Sequence, residues 1–172
     1  MHPNCKKIFS DHCAKYFKSG MKVLEAGPAF NPPTWYEAQV FDVNKDRFDT
    51  VDVREDRSPS GRHHDVKFTG TAYCYPIPND QYDIVFAAMV IEHVPMPWKW
   101  IGELKRVCKE GGLIIIIAPF IGDQHGRIDC FRFLPQGLEA LAEYVGLTVI
   151  QSGIYNVVKE DYHVDSLLIA KK

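Results

Sequence analysis

The run Leu113–Phe120, LIIIIAPF, constrains the fold of this chain more than any other feature. Four consecutive isoleucines leave no polar alternation, so a strand with one solvated face would hold two of them in water. Such a run fits a strand covered on both faces, which is the position of a central parallel strand between two layers of helices. It is also far too short to cross a bilayer.

The segments around it carry the same message. Tyr82–Ala88, YDIVFAA, reads as a second buried strand. The stretch 97–112, PWKWIGELKRVCKEGG, reads as a helix with Trp98, Ile101, Leu104, Val107 and Cys108 on its apolar stripe and Gly111 at a left-handed C-cap. PQGLEALAEYVG is a second helix, opened by Pro135, with Leu138, Leu141 and Val145 inward and Gly146 as its stop. LTVI and SLLIA supply two closing strands. Earlier in the chain, residues 5–18 have apolar side chains at helical spacing (Ile8, Phe9, Cys13, Tyr16, Phe17), and MKVLEAG is a short strand ending at an acid and a glycine. Further strands are expected at 49–53 and 65–68, and YCYPIPND at 73–80 is irregular because of its two prolines. Alternating strands and helices indicate a three-layer α/β domain with helices on both faces of a mostly parallel sheet. The 172 residues, 46% of them apolar, suit one domain, 1–172, with residues 1–20 forming an N-terminal helix packed on it.

Charge and cysteine usage narrow the function classes. Twenty basic against 22 acidic residues give a formal net charge of −2, which argues against a nucleic-acid or lipid-surface binder. Five cysteines without a CxxC pair indicate reduced thiols rather than a disulfide framework or structural zinc. The N-terminus MHPNCKKIF has no apolar signal stretch, so a cytoplasmic protein without membrane insertion is expected. His63-His64-Asp65 is a weak metal candidate, because adjacent side chains point apart, and no metal is expected. His2, His63 and His64 read as surface residues.

In an open α/β sheet, ligands bind beyond the carboxyl ends of the strands, near the switch in strand order. Four segments end there: Glu25-Ala26-Gly27-Pro28-Ala29, Asp52, Gly70-Thr71-Ala72 and Ala87-Ala88. A glycine after the first strand lets the backbone approach a ligand, and a carboxylate closing the next strand accepts bonds from a ribose diol. By spacing alone, an ordinary turn glycine and a surface acid are the commoner reading. GxxxxGK[ST] is absent, and so is GxGxxG, because Ala29 stands at its second glycine.

VLEAGPAF, followed by YDIVFAAMVIEHVPMPWKWIGELKRVCKEGGLIIIIAPF, resembles the class I S-adenosylmethionine-dependent methyltransferases, in particular the small type 11 group. The matching blocks are Tyr82-Asp83, Ile91-Glu92-His93-Val94, Glu103–Val107 and Lys109–Gly112, and the later run Asp129–Leu138 resembles the same group. The resemblance implies a Rossmann-like fold with a seven-stranded sheet ordered 3-2-1-4-5-7-6, its last strand antiparallel. It also implies S-adenosylmethionine as cofactor. Its methionine end would lie at Glu25, Ala26, Gly27 and Pro28, its ribose at Asp52 beside Val53, its adenine edge at Thr71 and Ala72, and its flank at Ala87 and Ala88. Two positions depart from the family pattern: Ala29 replaces a frequent glycine, and Thr71 replaces the acid that accepts from the adenine amino group.

Methyl transfer from a sulfonium requires alignment of the nucleophile and, for a hydroxyl acceptor, removal of a proton. His125, in the polar loop GDQHG after the isoleucine strand, and His93 are the catalytic candidates. Asp129 and Arg132 are the substrate-binding candidates, with a salt bridge at the edge of the core as the competing role for Arg132. The expected function is methylation of a small molecule, most naturally at a hydroxyl of a sugar, glycan precursor or secondary metabolite, by a monomer or homodimer. The alternative is a catalytically inactive protein that keeps the methyltransferase fold as a binding or partner module.

Overall fold

The isoleucine run forms the inner strand that its sequence demands. In the computed structural model, which describes residues 2–28, 35–44, 48–53, 67–68, 70–156, 158 and 162–172, Ile114 through Ile117 are all fully buried. Ile114 and Ile116 enter one apolar cluster and Ile115 and Ile117 the other, so the strand is covered on both faces. Each such side chain contributes about 1.5–3 kcal/mol by leaving water.

The strands are β1 (Val23–Ala26), β2 (Phe48–Asp52), β3 (Lys67–Phe68), β4 (Tyr82–Ala88), β5 (Cys108–Ile121), β6 (Thr148–Tyr155) and β7 (Val164–Lys171). Among the described residues they make one sheet in the order β3-β2-β1-β4-β5-β7-β6. The first five run parallel, while β7 lies antiparallel between β5 and β6. This is the expected order, and the closing SLLIA strand occupies the expected place.

Helices α3 (Pro97–Val107) and α4 (Pro135–Tyr144) cover one face with Trp100, Ile101, Leu104, Leu138 and Ala142. The other face is covered by the N-terminal helical segment and by α2 (Trp35–Asn44). The N-terminal segment begins as α1 (Pro3–Ile8), widens through a π turn over Phe9–Cys13 and tightens to a 3₁₀ turn over Ala14–Tyr16. It buries Cys5, Ile8, Phe9 and Cys13. Asn4 ties it to the far side of the sheet, donating to the Asp165 carboxylate (2.8 Å) and the Tyr155 carbonyl (2.9 Å).

Three expectations change. Trp98 is 43% exposed and Trp100 is the buried indole; Pro97, Trp100, Ile101, Leu104 and Val107 keep i, i+3, i+4 spacing, which leaves Trp98 off the stripe. The helix expected to reach residue 112 stops at Val107 and β5 starts at Cys108. Gly111 and Gly112 belong to a bulge in which the partner of β4 jumps from Cys108, opposite Tyr82, to Leu113, opposite Ile84. A Cβ at Gly112 would stand 2.9 Å from the Asp83 carbonyl, so the bulge admits only glycine there. His2 is a capping residue rather than a plain surface one: its imidazole accepts from the Cys5 amide and stacks on His163 at 3.9 Å. His63, His64, Asp65 and Ala29 lie outside the described residues.

Candidate active site

The strand order reverses between β1 and β4, and a cavity of about 650 Å³ opens at their carboxyl ends. Its volume is in the range of small-molecule sites, roughly 300–1,000 Å³. Gly27, Asp52 and Val53 line one side and Thr71, Ala72 and Tyr73 another. Gly27 leaves β1 at φ +74°, and a Cβ there would fall 2.7 Å from a Val90 methyl, so glycine lets β1 turn beneath Val90. Its amide donates to the Val51 carbonyl at 2.8 Å, which fixes the turn beside Asp52. Asp52 itself is buried, only 7% exposed.

The wall over residues 71–80 is fastened to α3. The Trp100 indole N–H donates to the Tyr75 hydroxyl at 2.7 Å, and the Tyr75 amide donates to Glu103. Arg106 donates to the carbonyls of Tyr75 and Ile77. Thr71 caps the start of this wall by accepting the Tyr73 amide at 3.2 Å.

The remaining cofactor candidates lie behind this surface. Glu25 and Ala26 are buried within β1, and Pro28 is buried beyond it. Ala87 belongs to the apolar core and Ala88 packs against the opposite cluster. The residues that β4 presents to the cavity are Met89 and Val90. Met89 adopts φ +56°, an uncommon conformation for a side-chain-bearing residue, and this turn rotates the chain out of the sheet into the site.

A second cavity, of about 370 Å³, adjoins the first; both are lined by Met89 and His125. Its wall is the loop after β5, built around Arg132. The Arg132 guanidinium donates from Nη1 and Nη2 to the two carboxylate oxygens of Asp129 (2.6 and 2.8 Å). It also donates to the carbonyls of Gly122, Asp123 and Phe131. All five of its N–H groups are thereby used. The guanidinium beside Asp129 holds that carboxyl well below the usual carboxylate range. Arg132 thus makes the salt bridge that the sequence offered as its alternative role, and with Asp129 it forms a clamp that shapes the loop lining the smaller cavity. Asp129 also accepts the His125 amide at 2.8 Å, which sets the backbone of that histidine.

The two histidines meet edge to face, with ring centroids 4.8 Å apart. His93 Nδ1 donates to the Ile128 carbonyl at 2.5 Å. His125 is half exposed, and its Nδ1 lies 3.4 Å from Asp129. Beside them stands Glu92, which the sequence reading passed over. It is fully buried, and neither carboxylate oxygen has a hydrogen-bond partner among the described residues. Burial pushes its carboxyl up to about 7. Glu92 comes from the turn after β4 and His125 from the loop after β5, so only the topology brings them together.

The comparisons with known proteins agree with this architecture. The family model described as "Methyltransferase domain" matches residues 36–116, which contain β4, α3 and the core of β5. An uncharacterized methyltransferase of Mycobacterium bovis is 39% identical over 85 residues, 46% of this chain and 31% of that protein. One from Mycobacterium leprae is 39% identical over 66 residues, 36% of this chain and 24% of that protein. The matches thus span about a third or less of these curated relatives. Among solved structures, a chain from the complex between the Haloferax volcanii Trm112 methyltransferase activator and a methyltransferase superposes with a TM-score of 0.75. It is 12% identical, over 97% of this chain and 92% of that one. A S-adenosylmethionine-dependent methyltransferase from Aquifex aeolicus gives a TM-score of 0.69 at 17% identity, over 98% and 90% of the two chains. The fold is that of these methyltransferases, and the matched domain model and the S-adenosylmethionine-dependent neighbour point to S-adenosylmethionine as the cofactor to test against the site. The residues present fit that group. A glycine turn under Val90, the buried carboxylate of Asp52 in the lining and walls of Val53, Ala72 and Tyr73 suit a phosphate-free nucleoside joined to an amino acid.

Proposed function

From the premise that this chain is a class I methyltransferase-fold domain, we propose that it transfers a methyl group from S-adenosylmethionine to a hydroxyl oxygen of a small molecule. A sugar, glycan precursor or secondary metabolite is the acceptor class. The observation that carries this reading is the pair of adjoining cavities that share Met89 and His125. The larger has the walls of a nucleoside site, and the smaller is lined by polar groups suited to a hydroxylated acceptor.

When bound, the cofactor supplies a methyl group on a sulfonium, a leaving group that needs no further activation. The chain has to hold and align. Asp52 accepts hydrogen bonds from the ribose diol, Gly27 turns the backbone under the methionine end, and Thr71, Ala72 and Val53 border the adenine. Glu25, Ala26, Pro28, Ala87 and Ala88 support this surface from within the sheet. On the acceptor side, His125 is the catalytic group that meets the reacting hydroxyl, with His93 packed behind it. The Asp129–Arg132 clamp keeps that loop in place.

Incubation with methyl-labelled cofactor and a panel of hydroxylated acceptors, followed by detection of the labelled ether, tests the reading. His125→Asn should lower turnover by about 10²–10⁴-fold and leave cofactor binding almost unchanged. A folded protein that binds neither the cofactor nor adenosylhomocysteine would favour a non-enzymatic partner module instead.

A further inference from the structure

We propose that Glu92, His93 and His125 form a binding site for one divalent transition-metal ion at the junction of the two cavities. Each residue offers one ligand atom, and the three atoms lie within 4.8 Å of one another. The His93 Nε2 to Glu92 Oε1 separation is 3.6 Å. Metal–ligand bonds of about 2.0–2.2 Å in a tetrahedral array put neighbouring donor atoms roughly 3.3–3.6 Å apart. Glu92 and His93 therefore already stand near coordination spacing, and the His125 ligand atom lies within 4.8 Å of theirs on a half-exposed side chain.

The imidazoles are oriented as ligands are. Metal-binding histidines usually donate their second ring N–H to a carbonyl or carboxylate, which leaves the other nitrogen's lone pair for the cation. His93 Nδ1 donates to the Ile128 carbonyl, and His125 Nδ1 lies against the Asp123 carbonyl at 3.3 Å and the Asp129 carboxylate at 3.4 Å. Both rings are thus set to present Nε2. A second, independent observation comes from Glu92 itself. A fully buried carboxylate whose two oxygens have no hydrogen-bond partner among the described residues is costly unless a cation faces it. Arg132, whose charge acts on it, has every N–H committed elsewhere. Two imidazoles and one carboxylate suit zinc, manganese, iron(II) or cobalt rather than magnesium or calcium.

Three protein ligands leave a coordination position open toward the cavities. There the cation would take the acceptor hydroxyl as a ligand and lower its pKa. The hydroxyl proton would pass to solvent at the exposed side of His125, whose ring, with Nε2 on the cation, would act on the hydroxyl through the metal rather than as its base. The oxygen lone pair would then form the C–O bond to the methyl as the C–S bond breaks, its electron pair staying on sulfur to give adenosylhomocysteine. This step rests on the methyl-transfer reading; the site itself does not.

Cobalt(II) is the probe, titrated into untagged, chelator-stripped full chain. Saturable binding of one ion per chain, visible absorption bands and a rise in melting temperature are expected. Glu92→Gln and His125→Asn should abolish the bands, and Asp129→Asn, which removes no ligand but loosens the hold on His125 and its loop, should weaken cobalt binding roughly 10–100-fold. Adenosylhomocysteine calorimetry on each variant checks the fold, and His125→Asn, at a half-exposed side chain, keeps the test open if Glu92→Gln is unstable. Absence of saturable cobalt binding, or bands that survive both ligand substitutions, overturns the site. Cobalt binding in a protein that ignores adenosylhomocysteine keeps the site and removes the methyl-transfer reading.

Discussion

The two cavities that meet at His125 are held open by opposite means. The larger is shaped by backbone conformation and packing: the positive φ of Gly27 beneath Val90, and the wall at residues 71–80 fastened to the buried Trp100. The smaller is shaped by charge. Its loop is held by one guanidinium that spends all its donors on a carboxylate and three carbonyls. A cavity cut from the core should respond to volume and strain. A cavity tied by an ion pair should respond to charge and pH. A site that keeps one half rigid and rebuilds the other can accept a fixed cofactor with a changeable partner.

The largest effect should come from adding volume to the packed side. Gly27→Val places a branched side chain at φ +74° and drives it into Val90. Strain of this kind costs about 1–3 kcal/mol before the collision is counted. Adenosylhomocysteine affinity should therefore fall at least tenfold, read by calorimetry, with a lower unfolding midpoint. Unchanged affinity would show that the larger cavity does not hold the cofactor.

Removing charge from the other side should leave that affinity alone. The Asp129 carboxyl is held below its ordinary range, chiefly by its hydrogen bonds to Arg132. Its contribution to stability is complete above the unfolded carboxylate pKa and is lost as pH falls toward the depressed folded value. Asp129→Asn should cost about 1–3 kcal/mol at pH 7, measured by denaturant unfolding. The gap to the parent protein should narrow steadily below about pH 4. A gap independent of pH would mean that the clamp works by shape rather than charge.

A milder change sharpens the contrast. Trp100→Phe keeps most of the buried volume and removes the indole donor to Tyr75 with a small part of the ring system. It should cost about 0.5–1.5 kcal/mol in the same unfolding measurement, with a further 1–3 kcal/mol if the Tyr75 hydroxyl is left unsatisfied. No loss at all would show that the wall at 71–80 stands without this bond.

The sheet was legible because burial on two faces writes itself into side chains. The isoleucines of β5 and the apolar β4 left no other arrangement, and the family-like blocks supplied the strand order. The end of α3 was not legible. Lys109-Glu110-Gly111-Gly112 reads as a helix stop, and only pairing with β4 reveals a bulge. Trp98 and Trp100 are both large and apolar, and one step of helical phase decides which is buried. In the cavity lining, Gly27 and Asp52 stand out in the sequence because they close strands. The pairing of Glu92 with His93 and His125 was hidden because it depends on how two loops approach. The clamp at Arg132 was hidden because the carbonyls it binds carry no mark in the sequence.

The central claim is that the larger cavity holds the adenosyl group with Asp52 on its ribose. Calorimetric titration of adenosylhomocysteine into the parent protein and into Asp52→Ala tests it directly. One ligand should bind per chain, and the substitution should remove about 1.5–3 kcal/mol of binding free energy, the contribution of hydrogen bonds to a charged acceptor. Equal affinities in the two proteins, with the fold intact, would contradict it.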